Sequence, residues 1–285
     1  MAKVSFRSSA SQANHAASGL DLDSVRTEKN YAGALKGVAA FLQENRLGDL
    51  RSLDAEKAVA YLEMRGQEVG QKTLDMDRQA IQAVIGEKLP VVKSELTTTL
   101  ESRAYTAEQA KMVAAAQSEK HALATQIAEN AGLRAHELLT LRPVEERQAD
   151  THREYRDDRF TGRDDVKIYT VEGKGGLCRE VAISRDLADK LETRRLDEPR
   201  TVYDREVKYE QHYAIGGGKQ WADSFSKAAD RALGWSTGAH GLRHEFAQER
   251  MNTLQGNGFE YLEALEVVSQ EMGHFRPEIT EVYLR

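Results

Sequence analysis

The sequence predicts a mainly α-helical chain with one small antiparallel β-sheet, an α+β fold in two domains. Three observations lead there. The 285 residues include only 4 Pro, with 40% hydrophobic and 30% charged residues, the composition of a globular, helix-rich chain. Apolar residues recur at helical spacing along most of the chain, and the period changes to two only in two short segments around a glycine-rich turn. A length of 285 residues amounts to about two domains at roughly 150 residues each.

The elements follow in order. Residues 1–20 are rich in Ser and Ala without periodicity and read as a mobile arm. Tyr31, Leu35, Val38 and Leu42 lie on one face of a first helix. Asp54 caps a second helix whose apolar face includes Val59 and Leu62. Leu74, Ile81 and Ile85 mark a third, which stops near Gly86 and Pro90. Residues 21–98 therefore read as a small all-helical domain, and residues 90–105 as the linker. The second domain, 104–285, opens at Thr106, where Gln109 completes a capping box, and helical runs continue to residue 142. The segments 166–171 (VKIYTV) and 179–183 (REVAI) flank Gly173-Lys174-Gly175-Gly176 and read as a β-hairpin. Ser184 caps a further helix, and helices dominate from residue 220 onward.

Several classes are excluded. No run of 18 apolar residues is present, so no transmembrane helix is expected. Residues 1–19 lack the apolar stretch of a secretory signal. The single cysteine, Cys178, forms no internal disulfide, and no Cys/His cluster has zinc spacing. A soluble cytoplasmic protein without membrane association is the expectation. The net charge is −6; residues 1–100 sum to zero and residues 101–285 carry all of it. That balance weighs against a nucleic-acid partner, although 40 Lys and Arg suffice to line one face.

The second domain places basic and nucleophilic residues at conspicuous points. Arg134 lies in the run 131–141 (AGLRAHELLTL), and Lys174 stands at the hairpin tip. His240 and Arg243 are one helical turn apart in 240–247 (HGLRHEFA), His274 follows Gly273, and Tyr283 lies nine residues further on. Singly, each has an ordinary reading as a solvated charge, a capped imidazole or a packing ring. Together they describe a phosphoryl-transfer site. Two guanidiniums can fork onto the non-bridging oxygens of a phosphodiester, imidazoles can exchange protons near neutral pH, a lysine can protonate a departing alkoxide, and a phenol can act as nucleophile. No P-loop and no acidic cluster suited to two magnesium ions accompany them, so no cofactor or metal is expected.

The order and spacing resemble the tyrosine recombinases, the phage-integrase family. Gly132-Leu-Arg-x-x-Glu-Leu138 matches its first arginine box, and His240-x-Leu-Arg-His-x-x-Ala247 its second. Gly273-His274 followed by Thr280 and Tyr283 matches its closing box, with Lys174 in the expected hairpin. The match spans the second domain, and the helical domain before it resembles the family's core-binding domain. Glu245 departs from the pattern, standing where the family has a small hydroxyl residue, which alters local hydrogen bonding. Two residues follow Tyr283, where many members continue into a tail that docks on a neighbouring subunit. Residues 1–20 are too few for a separate arm-site-binding domain, so recognition of core sites alone is expected.

The resemblance implies that Tyr283 attacks the scissile phosphate to form a 3′-phosphotyrosyl bond, with strand exchange through a Holliday junction and no need of ATP or metal. It makes Arg134 and Arg243 the oxyanion clamp, His240 the base for the tyrosine proton and Lys174 the acid for the leaving 5′-oxygen. His274 donates to a non-bridging oxygen, and Glu137 supports the site without reacting. The implied partners are double-stranded DNA attachment or core sites, clasped between the two domains, a homotetramer on two duplexes, and an accessory DNA-bending or directionality protein. Integration or excision of a prophage or other mobile element is the favoured role. The alternatives are a chromosome- or plasmid-dimer resolvase, a tyrosine-type topoisomerase and, from a different class, a catalytically dead DNA-binding regulator.

Overall fold

A computed structural model describes residues 8–22, 24–96 and 101–285. It divides into two compact units, Met1–Leu100 and Glu101–Arg285. Among the described residues no helix is long and apolar enough to cross a membrane. Positions 1–7 of the expected arm and 97–100 of the expected linker lie outside the described residues.

The described residues of the first unit form four helices, α1 (Ser9–Ser18), α2 (Val25–Glu44), α3 (Ala55–Gly66) and α4 (Gln71–Ile85), with a 3-10 turn at Leu50–Ser52. Caps set the boundaries that the sequence marks. Asp54 accepts from the Lys57 amide at 2.9 Å, and Gly86 ends α4 in the left-handed conformation at φ 71°. Leu35, Val38, Leu42, Leu62 and Ile81 are fully buried and form its core with Leu74. Here the arm expectation is corrected. Residues 9–18 are a helix capped by Ser8, and Ala13 and Ala17, one turn apart, are fully buried against α2. Gln12 also accepts from the Leu50 amide at 3.2 Å. An alanine stripe is too weakly hydrophobic to stand out as periodicity, yet small enough to let two helices approach closely.

The second unit begins with α5 (Ala107–Ala115), whose capping box is complete: Thr106 accepts from the Gln109 amide at 3.2 Å, and Gln109 accepts from the Thr106 amide at 2.9 Å. Next comes α6 (Glu119–Ala131), which stops eleven residues short of the helical run expected to 142. Gly132 takes φ 60°, and a side chain there would collide with the Phe246 ring, so the chain turns away at this point. After a 3-10 turn at Glu137–Leu139 comes β1 (Arg142–Pro143), which pairs with β2 (Val166–Glu172). Strand β2 pairs antiparallel with β3 (Cys178–Ser184) in the register Tyr169↔Val181, giving a three-stranded sheet in the order β1-β2-β3. The helix α7 (Arg185–Glu192) follows.

A second sheet departs from the single sheet that the sequence predicts. Strands β4 (Arg195–Asp204) and β5 (Val207–Tyr213) form a separate antiparallel hairpin. Charged residues occupy both of its faces, which removes the alternation that marks a strand. Its turn uses Arg205 and Glu206 at φ 51° and 70°, without the glycine that signals a hairpin. Helices α8 (Gly218–Leu233), α9 (Gly241–Gly256), α10 (Tyr261–Glu271) and the short α11 (Pro277–Thr280) complete the unit.

Two cores stabilise this unit. One lies between the three-stranded sheet and α5, α6, α7 and α8, with Tyr169, Val171, Trp221 and Phe225. The other joins α9 and α10 through Phe246, Met251, Leu254, Val267 and Val268, and includes the ring of Tyr283. Tyr283 is therefore held by packing. The fold is the mainly α chain that the sequence predicts, with two small antiparallel sheets among the described residues in place of the one expected.

Candidate active site

The site is built around one carboxylate. Glu137, in the 3-10 turn after α6, is fully buried. It accepts from Arg134 Nη1 at 2.8 Å and from the Arg134 amide at 2.7 Å, so the turn folds back on its own guanidinium. A fork from Arg179 on β3 reaches it at 2.8 and 3.1 Å, and Arg243 Nη1 lies 3.9 Å away. Burial alone would raise the Glu137 carboxyl; the Arg179 and Arg134 charges outweigh it and hold the group well below the usual carboxylate range. Three guanidiniums thus converge on one carboxylate, an excess of positive charge in a low-dielectric setting.

Arg243, on α9 and fully buried, spans the two boxes. It donates to the carbonyl oxygens of Gly132 and Met272, the latter at 3.2 Å, and to His274 Nε2 at 3.2 Å. Arg134 Nη1 donates to the same Met272 carbonyl at 3.4 Å. Among the described residues no acceptor reaches the buried Arg243 Nε. His274 passes its other nitrogen to Thr280 Oγ1, 3.0 Å away. With Nε2 accepting, the imidazole is neutral and carries its proton on Nδ1. Burial first, then the Arg243 charge, push His274 down to about 3. For His274 to donate to a phosphate oxygen, the proton has to move to Nε2 and Arg243 has to turn its hydrogen onto the phosphate.

Tyr283 closes the site. Its hydroxyl is 3.1 Å from His240 Nε2, and its ring lies 4.7 Å from that of His244 and 5.1 Å from that of His274. The Arg243 guanidinium is 5.6 Å from its centroid. Gln248 donates to the Tyr283 carbonyl at 3.2 Å and the Arg285 carbonyl at 3.0 Å, pinning this segment to α9. Burial and the neighbouring Arg243 charge push His240 down to about 4, so it is neutral at pH 7 and able to accept the phenol proton. Chemically, a phenol within hydrogen-bond distance of a neutral imidazole faces a concentrated cationic pocket.

The structure therefore brings together Arg134, Glu137, His240, Arg243, His274 and Tyr283. Lys174 stands apart, exposed at the tip of the β2–β3 turn, where among the described residues no hydrogen bond or ion pair reaches it. The base of its turn is nearby: a Cβ on Gly173 would lie 3.5 Å from Glu137 Oε1. Two participants escaped the sequence reading. Arg179 lies on the face of β3 that carries Val181 and Ile183, and a charge on an apolar face was the available signal. His244 packs its ring at a tilt against Tyr283 from one turn along α9, which no spacing distinguishes from an ordinary motif residue.

Losing the Glu137 charge leaves Arg179 buried without a counter-ion. Glu137→Gln is expected to lower the unfolding free energy in urea by on the order of 3–5 kcal/mol. Glu245, the departure from the family pattern, sits among carboxylates. Burial, then Glu129 and Glu249, raise it to about 8. In the folded state it therefore binds a proton that the unfolded chain releases above pH 4.5, so stability falls as pH rises from 4.5 to 8. Glu245→Gln is expected to raise the melting temperature at pH 8, with the gain shrinking to nothing near pH 4 in a pH series of thermal unfolding.

The chain has the fold of the site-specific tyrosine recombinases. Over 90% of this chain and 75% of the other, it is similar to the XerH site-specific recombinase bound to difH substrate in a pre-cleavage complex, at 16% identity and a TM-score of 0.57. The XerH post-cleavage complex on palindromic difH matches 97% of this chain and 90% of the other, at 12% identity and a TM-score of 0.58. No protein-family model matches the chain. No curated protein matches it.

Proposed function

We propose that the protein is a site-specific DNA recombinase that cuts and rejoins strands through a 3′-phosphotyrosyl intermediate. The observation that carries this reading is the placement of the Tyr283 hydroxyl on neutral His240 beside a buried surplus of guanidinium charge. A phosphodiester supplies the anion that such a pocket lacks, and Arg134, the more exposed guanidinium at 22%, is its point of entry. Tyr283 Oη attacks phosphorus as His240 takes the phenol proton. The bond from phosphorus to the 5′-oxygen breaks, and Lys174, on its exposed turn, delivers the proton to that oxygen. Arg134 and Arg243 stabilise the charge on the equatorial oxygens. A 5′-hydroxyl from a partner duplex then reverses the sequence, regenerating the phenol. Both units contact duplex DNA, four protomers act on two duplexes, and the assembly serves integration or excision of a mobile element.

The test begins with a pool of nicked duplexes carrying a randomised core, from which DNA left covalently attached after denaturation is sequenced. Plasmids carrying two recovered sites should then exchange strands. Relaxation of supercoils without exchange would identify a topoisomerase instead. Exchange between two unlike sites supports the mobile-element role, whereas a requirement for two identical sites would point to dimer resolution.

A further inference from the structure

Arg179 is a fully buried charged group to which the proposed mechanism gives no chemical step. Its side chain is 1% exposed, and all three of its nitrogens are engaged: Nη1 and Nη2 on Glu137 at 2.8 and 3.1 Å, and Nε on the Glu271 carbonyl at 3.0 Å. Glu271 ends α10 immediately before Met272-Gly273-His274, and the Met272 carbonyl receives both Arg134 and Arg243. Gly273, at φ 71°, lies directly on the Arg179 side chain, where a Cβ would stand 3.0 Å from Arg179 Cδ. On its other side, a Cβ on Gly173, next to Lys174, would stand 3.6 Å from Arg179 Nη1. Three segments remote in sequence therefore meet on one guanidinium: the turn bearing Arg134, the loop bearing Lys174 and the turn bearing His274.

We propose that Arg179 is a positioning residue for strand cleavage, fixing Glu137 and the turn before His274 so that Arg134 and Arg243 present their free N–H groups to the phosphate. Its burial keeps it off the DNA, so it acts through these partners. Arginine is required because a planar fork spans both carboxylate oxygens while Nε reaches a third acceptor; an ammonium offers no such fixed geometry. The proposal rests on the phosphotyrosyl reading above.

The test measures single-turnover adduct formation at saturating DNA, DNA affinity and melting temperature in wild type, Arg179→Met, Arg179→Lys and Arg179→Met/Glu137→Gln. With the wild type forming adduct, Arg179→Met should lower the saturating rate by about 10²-fold at unchanged affinity. Without Arg179 the buried Glu137 carboxyl rises, faced by Arg134, Arg243 and the half-buried His136, so the acid limb of the rate profile moves to higher pH. Replacing Glu137 by Gln in the double variant removes the titrating carboxyl and should abolish that shift of the acid limb. If the Met variant does not fold, Arg179→Lys decides by the same readouts. A folded Met or Lys variant with full rate overturns the proposal, as does parallel loss of rate, affinity and melting temperature, which would mark a purely structural role. Absence of adduct from the wild type refutes the phosphotyrosyl reading itself, and the proposal with it.

Discussion

Tyr283→Phe is expected to abolish covalent capture of DNA while duplex binding survives. The hydroxyl is the proposed nucleophile, and within the closing box no other hydroxyl lies on His240. The phenyl ring can keep its place, since it packs with Phe246, Met251 and Met272 and against the rings of His244 and His274. Only the hydrogen bond to His240 is lost, so the fold should weaken by about 1 kcal/mol. Denaturing gels of nicked duplex with each protein, beside a binding titration, separate chemistry from binding. A Phe variant that still becomes attached to DNA would remove Tyr283 from its assigned role.

Arg243→Lys is expected to lower the cleavage rate by 10²–10³, about 2.7–4 kcal/mol of transition-state stabilisation. Arg243 reaches the Gly132 carbonyl, the Met272 carbonyl and His274 from one planar group, and its Nε is buried without an acceptor. A lysine keeps the charge but cannot hold those directions together, so the oxyanion loses its donors and His274 loses its partner. Affinity for DNA should change far less, because most phosphate contacts on a duplex lie away from the scissile one. Single-turnover rates at saturating DNA measure the effect. A loss confined to affinity would show that Arg243 binds DNA without acting on the transition state. Glu137→Gln should cost less in rate than Tyr283→Phe, since Gln still accepts from Arg134; an equal loss would make Glu137 more than a support.

The parts of this site written as short local patterns were legible in the sequence. Arg134 and Glu137 share a turn, His240 and Arg243 share a helix face, and His274 and Tyr283 are separated by one short connection. What the sequence hid was set by tertiary contact. Arg179 sits among apolar residues of β3, and only the fold reveals that a carboxylate 42 positions earlier is its partner. The β4–β5 hairpin escaped because its strands are charged on both faces and its turn holds no glycine. Helix α1 escaped because alanine buries fully while giving little hydrophobic contrast. The helical run expected to residue 142 failed at Gly132, where left-handed backbone and the Phe246 ring overrule the apolar pattern beyond it.

The central claim is that Tyr283 becomes covalently joined to DNA without help from a metal. Wild-type protein incubated in EDTA with the pool of nicked duplexes, then denatured, digested and analysed by mass spectrometry, tests it directly. The account predicts a nucleotide linked through its 3′-phosphate to the peptide bearing Tyr283, with a free 5′-hydroxyl on the released strand. Attachment at another residue, or none until a divalent cation is added, would contradict it.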